Sequence, residues 1–175
     1  MAITINVYRS ARSVVAHGAI QKTNTVDFAT RNPFFVTLRS VGVETFNSTD
    51  SGLLRNANTG TYSTEGANEL STANGYIQGG KSLLNTRLLY SSGALTLYAD
   101  DLAWLATGSG ITAKSALLCY EFPAPRQLAG QLVTDPYVNS CAVAMIDFDG
   151  TKTAVAGTAL TLQWPAAGIL KWELS

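Results

Sequence analysis

A chain of 175 residues is the size of one ordinary domain and can withdraw roughly 70% of its unfolded surface from water, so it needs no covalent staples. Hydrophobic residues make up 46% and charged residues 14%, too apolar for a disordered chain and poor in charge, which leaves much of the surface neutral. Twelve basic side chains balance twelve acidic ones, so no net field collects nucleic acid or steers an anionic substrate, and a nucleic-acid partner is not expected.

The N-terminal stretch MAITINVYRSARSVV has no charged leader ahead of an apolar core, and no apolar run approaches the roughly 18 residues of a membrane span. The expectation is a protein kept in a reducing cytosol, with no membrane partner and with free thiols. Arg9, Arg12, Lys22, Arg31 and Arg39 face Asp27 as the lone acid before position 41, either a basic arm for an acidic partner or a set of scattered, solvated charges. Within residues 10–19, Ala11, Val14, Val15 and Ala19 recur at helical spacing and Gly18 can close the turn. One short helix is expected there, inside an arm over residues 1–22.

Beyond it the period changes to two, in short β-branched and aromatic runs divided by Gly, Asn and Ser. The clearest lie at residues 34–40, 82–90, 94–99, 114–122, 142–148, 159–164 and 169–174. About seven short strands predict an all-β, antiparallel sandwich or barrel in a single domain over residues 1–175. In TALTLQW the apolar Leu160, Leu162 and Trp164 alternate with Thr161 and Gln163, and Leu170 and Trp172 alternate with Lys171 and Glu173. These five apolar residues, with Ile146 and Phe148, are the expected core. Tyr90-Ser91-Ser92-Gly93-Ala94 and Asp149-Gly150 read as turns between strands. Cys119 and Cys141 each sit in an apolar run, SALLCYEF and SCAVAMIDF, and are expected to be buried thiols on neighbouring strands.

Two irregular stretches interrupt the strands: a polar loop over residues 47–74 and a second over residues 123–139 containing PAPRQLAGQ and DPY. Loops of such length are more often functional than idle, although plain surface insertion is the competing reading. Partner contacts are therefore expected at Arg9 and Arg12 in the arm, at Asn47, Leu53, Leu54, Arg55 and Tyr62 in the first loop, and at Arg126 and Tyr137 in the second.

Catalytic chemistry finds little support. His17 is the single histidine, which rules out a histidine cage for a metal, and no serine stands in a G-x-S-x-G elbow. Asp147-Phe148-Asp149-Gly150 looks like the start of a calcium loop, but Thr151, Lys152, Thr153 and Ala154 follow where further oxygen ligands belong. Asp100 and Asp101 are adjacent, so on a strand they would point to opposite faces rather than work on one substrate, and they read as a strand end or a cap. Gly75-Tyr76-Ile77-Gln78-Gly79-Gly80-Lys81 misses the spacing of the phosphate-binding fingerprints and reads as a turn or bulge needing positive φ. Neither a catalytic residue, a metal nor a cofactor is expected.

Residues 75–175 carry, in order, GYIQGGKSLLN, LYADDLAW, ITAKSALLCYE, a strand ending in IDFDG, and GTALTLQWPAAGILKWEL. In order and spacing these pieces resemble a family of small β-rich proteins encoded among the head and structural genes of tailed phages. ARSVVAHGAI occupies the place of that family's short N-terminal helix and PFFVTLRS that of its early strand; the two irregular stretches are additions. The resemblance implies a virion component without catalytic residues. The expected function is a capsid decoration, or cement, protein that binds the major capsid protein lattice as a small symmetric homo-oligomer. The alternatives are a tail, connector or fibre component, and a carbohydrate-binding β-sandwich presenting Trp104, Trp164 and Trp172.

Overall fold

The computed structural model describes residues 3–7, 34–42, 68–121 and 140–173. These form ten strands: β1 (Thr4–Val7), β2 (Phe34–Arg39), β3 (Lys81–Ser82), β4 (Arg87–Ser91), β5 (Ala94–Tyr98), β6 (Leu102–Leu105), β7 (Ile111–Glu121), β8 (Ser140–Ala154), β9 (Ala159–Leu162) and β10 (Leu170–Glu173). They make three sheets, in the orders β1-β8-β7-β2-β3, β10-β5-β4 and β6-β9, and every pairing is antiparallel. The fold is all-β and no sheet closes into a barrel. The short helix expected in residues 10–19 lies outside the described residues.

One core joins the three sheets. Phe34, Val36 and Leu38 of β2, Ala116, Leu118 and Tyr120 of β7, and Ile146 and Phe148 of β8 meet Leu97 of β5, Leu102 and Trp104 of β6, Leu160 and Leu162 of β9, and Leu170 of β10. The β6–β9 ladder shows why alternation suffices: Leu102 faces Leu162 and Trp104 faces Leu160, while the intervening Ala103, Leu105, Ala159 and Thr161 stand in solvent. Period two places each apolar pair on one face, so the ribbon buries that face and wets the other.

The five-stranded sheet behaves differently, because its inner strands β2, β7 and the first part of β8 bury side chains on both faces. Leu117, Cys119, Ala142 and Met145 form a second buried cluster with Phe35 packed against it. A sheet covered on both sides calls for continuous apolar runs, which is what SALLCYEF and SCAVAMIDF supply. Arg39 also lies in this sheet, fully buried, with Nη1 3.9 Å from Met145 Sδ. Grouping it with surface charges of a basic arm is thereby corrected: it is the last residue of β2, beside Ser115 of β7. Cys119 is buried, and Cys141 lies on the neighbouring strand, its backbone paired with Tyr120.

Three other expectations change. Residues 82–90 are two strands, β3 and β4, because the chain breaks at Asn85 with φ +49. Asp149 and Gly150, with φ of +52 and +98, do not separate two strands; they bulge out of the long strand β8, where the register with β7 shifts between Ala113 and Ser115. Trp164 is half-buried against the core instead of enclosed in it, since β9 ends at Leu162 and the ladder no longer dictates its face. Leu160, Leu162, Ile146, Phe148 and Leu170 are buried as expected. The Trp172 side chain lies outside the described ones.

Candidate functional site

A cleft of about 290 Å³ opens where the β5–β6 link meets the segment after β9, lined by Asn85, Arg87, Tyr98, Ala99, Asp100, Asp101, Trp164, Pro165 and Ala166. Its walls are tied by hydrogen bonds of long sequence separation. The Trp164 backbone N–H donates to Asp101 Oδ1 at 2.9 Å, and the indole Nε1–H donates to the Asp100 carbonyl at 2.9 Å. Asn85 Nδ2 donates to Asp100 Oδ2 at 2.5 Å, and the Arg87 guanidinium stands 5.2 Å from the centre of the Tyr98 ring. Both carboxylates line the same cleft, and Asp100 and Asp101 lie just past the end of β5, the strand-end position expected for them. They sit in the link between β5 and β6, where strand alternation does not operate. Of the three tryptophans, Trp104 is buried at 5% exposure and unavailable to a ligand, whereas Trp164 borders the cleft.

A second cleft, of about 310 Å³, runs along Leu70, Ser71, Ala73, Asn74, Tyr76 and the start of β7. Tyr76, in its wall, belongs to a polar seam. The Leu38 N–H donates to Tyr76 Oη at 3.1 Å, and that hydroxyl donates to Glu69 Oε1 at 2.6 Å. The same carboxylate oxygen accepts the Gly79 N–H at 2.7 Å. The glycine segment therefore serves backbone geometry: Gly75, Gly79 and Gly80 all have positive φ, and a Cβ on Gly80 would collide with the Val36 carbonyl. Asn74, itself at φ +52, accepts the Ser109 N–H on Oδ1 at 3.2 Å, and its carbonyl accepts the Thr107 N–H at 2.8 Å.

These contacts revise the polar loop. Its last part, from Asn68 to Asn74, is bound to β2 and to the turn before β7: the Leu70 N–H donates to the Leu38 carbonyl at 2.9 Å and the Ser40 N–H to that of Asn68 at 3.1 Å. The expected contact residues Arg9, Arg12, Asn47, Leu53, Leu54, Arg55, Tyr62, Arg126 and Tyr137 all lie outside the described residues, as does His17.

Sequence reasoning did not single out the apolar side chains that stand in water. Among the described residues Val7, Ile77, Leu84, Leu89, Tyr90, Leu105 and Val155 are each between 45% and 70% exposed. Leu89 and Tyr90 are neighbours on β4, the outer strand of its sheet. The alternation of LLYSSGALTLY marks the hairpin in sequence, but which of its strands is left at an edge depends on β10 arriving from far along the chain. Among the described residues, no three His, Cys, Asp or Glu side chains are grouped as a metal cage requires. Compared with protein-family models, curated proteins and solved structures, the chain shows no match.

Proposed function

We propose that this protein is a structural component that works by surface contact, and specifically a decoration protein on the outside of a tailed-phage capsid. The observation that carries the contact reading is the set of large apolar side chains left in solvent on a surface poor in charge, among them Leu89 and Tyr90 on the two faces of β4. Single exposed leucines are ordinary; several large apolar side chains in solvent on a charge-poor surface are what a persistent contact uses. The capsid as the partner rests on the resemblance of residues 75–175 to head-cluster proteins of tailed phages. Bracing a shell needs area repeated over a symmetric lattice, where many weak contacts act together without any one strong site. Separating purified particles into heads and tails and identifying their proteins by mass spectrometry tests this reading: the protein is expected with the heads, and its presence in tails alone would transfer it to a tail or fibre role.

A second reading is favoured by the cleft at Trp164. An indole edge, the Tyr98 ring, two carboxylates and Asn85 around one small opening are the side chains that bind sugar hydroxyls and ring faces. Here the protein would attach a particle to a polysaccharide. Glycan-array binding lost in Trp164→Ala would support that reading, and a blank array would remove it.

A further inference from the structure

Asn74-Gly75 is the one Asn-Gly pair in the sequence. In such a pair the glycine nitrogen, with no side chain beside it, is able to attack the amide carbon of the asparagine side chain. A bond forms between that nitrogen and Cγ as the nitrogen gives up its proton, the Cγ–Nδ2 bond breaks, and ammonia leaves. Water then opens the five-membered imide at either carbonyl. One product is aspartate; the other is isoaspartate, which carries an additional atom in the main chain.

The fold holds this pair in a form that does not close the ring. Ala73 and Tyr76 exchange backbone hydrogen bonds of 3.1 and 2.8 Å across Asn74 and Gly75, whose φ values of +52 and +90 are those of a type I′ turn. In that turn ψ of the first central residue is roughly +30°, which sets the Asn74 carbonyl oxygen on the side of its own Cβ and the Gly75 nitrogen on the far side. One neighbouring turn then holds both oxygens of Asn74. The carbonyl accepts the Thr107 N–H at 2.8 Å and Oδ1 accepts the Ser109 N–H at 3.2 Å. For the Gly75 nitrogen to reach Cγ, the peptide between them has to swing round, which breaks the Thr107 bond and dissolves the turn.

We propose that Asn74 is a site of spontaneous deamidation that the native fold keeps shut, and that it reacts only when the turn over residues 73–76 lifts away from the turn over residues 107–110. Asn74 is half-buried and borders the cleft of about 310 Å³, which leaves room for the water that opens the imide. Aspartate at this place restores the turn, because Asp-Gly also favours type I′ and a carboxylate accepts the Ser109 N–H. Isoaspartate does not. Its added atom separates Ala73 from Tyr76, the residue that ties Glu69 to Leu38. The modification is thus a one-way change in the framework, independent of any partner.

The full-length protein, kept in mildly alkaline buffer either folded or in urea, tests this when the exchange of amide nitrogen for oxygen at Asn74 is followed by mass spectrometry of its peptides. The unfolded chain is expected to react on the order of tenfold faster or more, since folded molecules react only while the turn is open. Gly108→Ala places a Cβ 2.6 Å from Asn74 Oδ1 and pushes the amide off Ser109. That variant, folded, is expected to react several-fold faster than the parent. Gly93→Ala is strained in the same way, at φ +78, but its Cβ meets open space, and it is expected to keep the parent's rate. Equal rates for the folded and unfolded parent would overturn the proposal, as would an unfolded chain that keeps its amide. A folded Gly108→Ala protein no faster than Gly93→Ala would overturn it too; should Gly108→Ala not fold, the two states of the parent decide.

Discussion

Tyr76 shows how one hydroxyl holds three segments. It is 2% exposed, takes the Leu38 N–H at the margin of β2 and gives its proton to Glu69, which also holds Gly79. Tyr76→Phe keeps the ring but leaves the Leu38 N–H without its acceptor, so it is expected to cost about 1–3 kcal/mol, read as a lower urea midpoint with an unchanged slope. Trp104 and Trp164 separate in the same measurement. Trp104 is enclosed between β6, β9 and the large sheet, and Trp104→Ala is expected to cost about 3–5 kcal/mol. Trp164 is half-buried, and Trp164→Ala is expected to cost clearly less; an equal loss would show that its indole hydrogen bond to the Asp100 carbonyl, not its packing, secures the segment after β9. At this scale the sequence was partly legible. Alternation found Leu160, Leu162 and Leu170 because a ladder imposes it, and misplaced Trp164 because the ladder stops two residues earlier. Arg39 could not be read at all: nothing in PFFVTLRS says that both faces of that strand are covered.

Hairpins are the elements the sequence announces best, since their turn chemistry is local. Ser-Ser-Gly before Ala94 puts Ser92 and Gly93 in left-handed conformations, Ser92 being the less suited of the two. Replacing Ser92 by Asn gives the preferred Asn-Gly loop and is expected to stabilise the fold by a few tenths to about 1 kcal/mol, seen as a raised Tm. Sheet membership was hidden for the opposite reason. Strands β6 and β9 pair across more than fifty residues, and β3 contributes only Lys81 and Ser82 beside Val36 and Phe35. Short strands of this kind carry too few residues to show a period. The bulge at Asp149 and Gly150 misled in a further way, because the same residues that turn a chain between strands also swell one long strand.

For the molecule as a whole, the class of fold was legible and the working surface was not, because a surface is defined by what remains unpaired after every strand has found its place. The loop after β2 illustrates the difference. Its end, from Asn68 onward, belongs to the folded framework, so removing residues 47–74 together would strip β2 and the turn before β7 of their partners. Removing residues 48–66 alone is expected to leave a cooperative unfolding transition unchanged while lowering attachment to capsids, measured by co-sedimentation. The most direct test of the central claim is an electron-microscopic reconstruction of heads that lack this protein, before and after the purified protein is added back. The account predicts new density repeating with the capsid lattice on the outer surface of the shell and a higher temperature of genome release. Added protein that leaves the shell bare, with density only at the tail or nowhere, would contradict it.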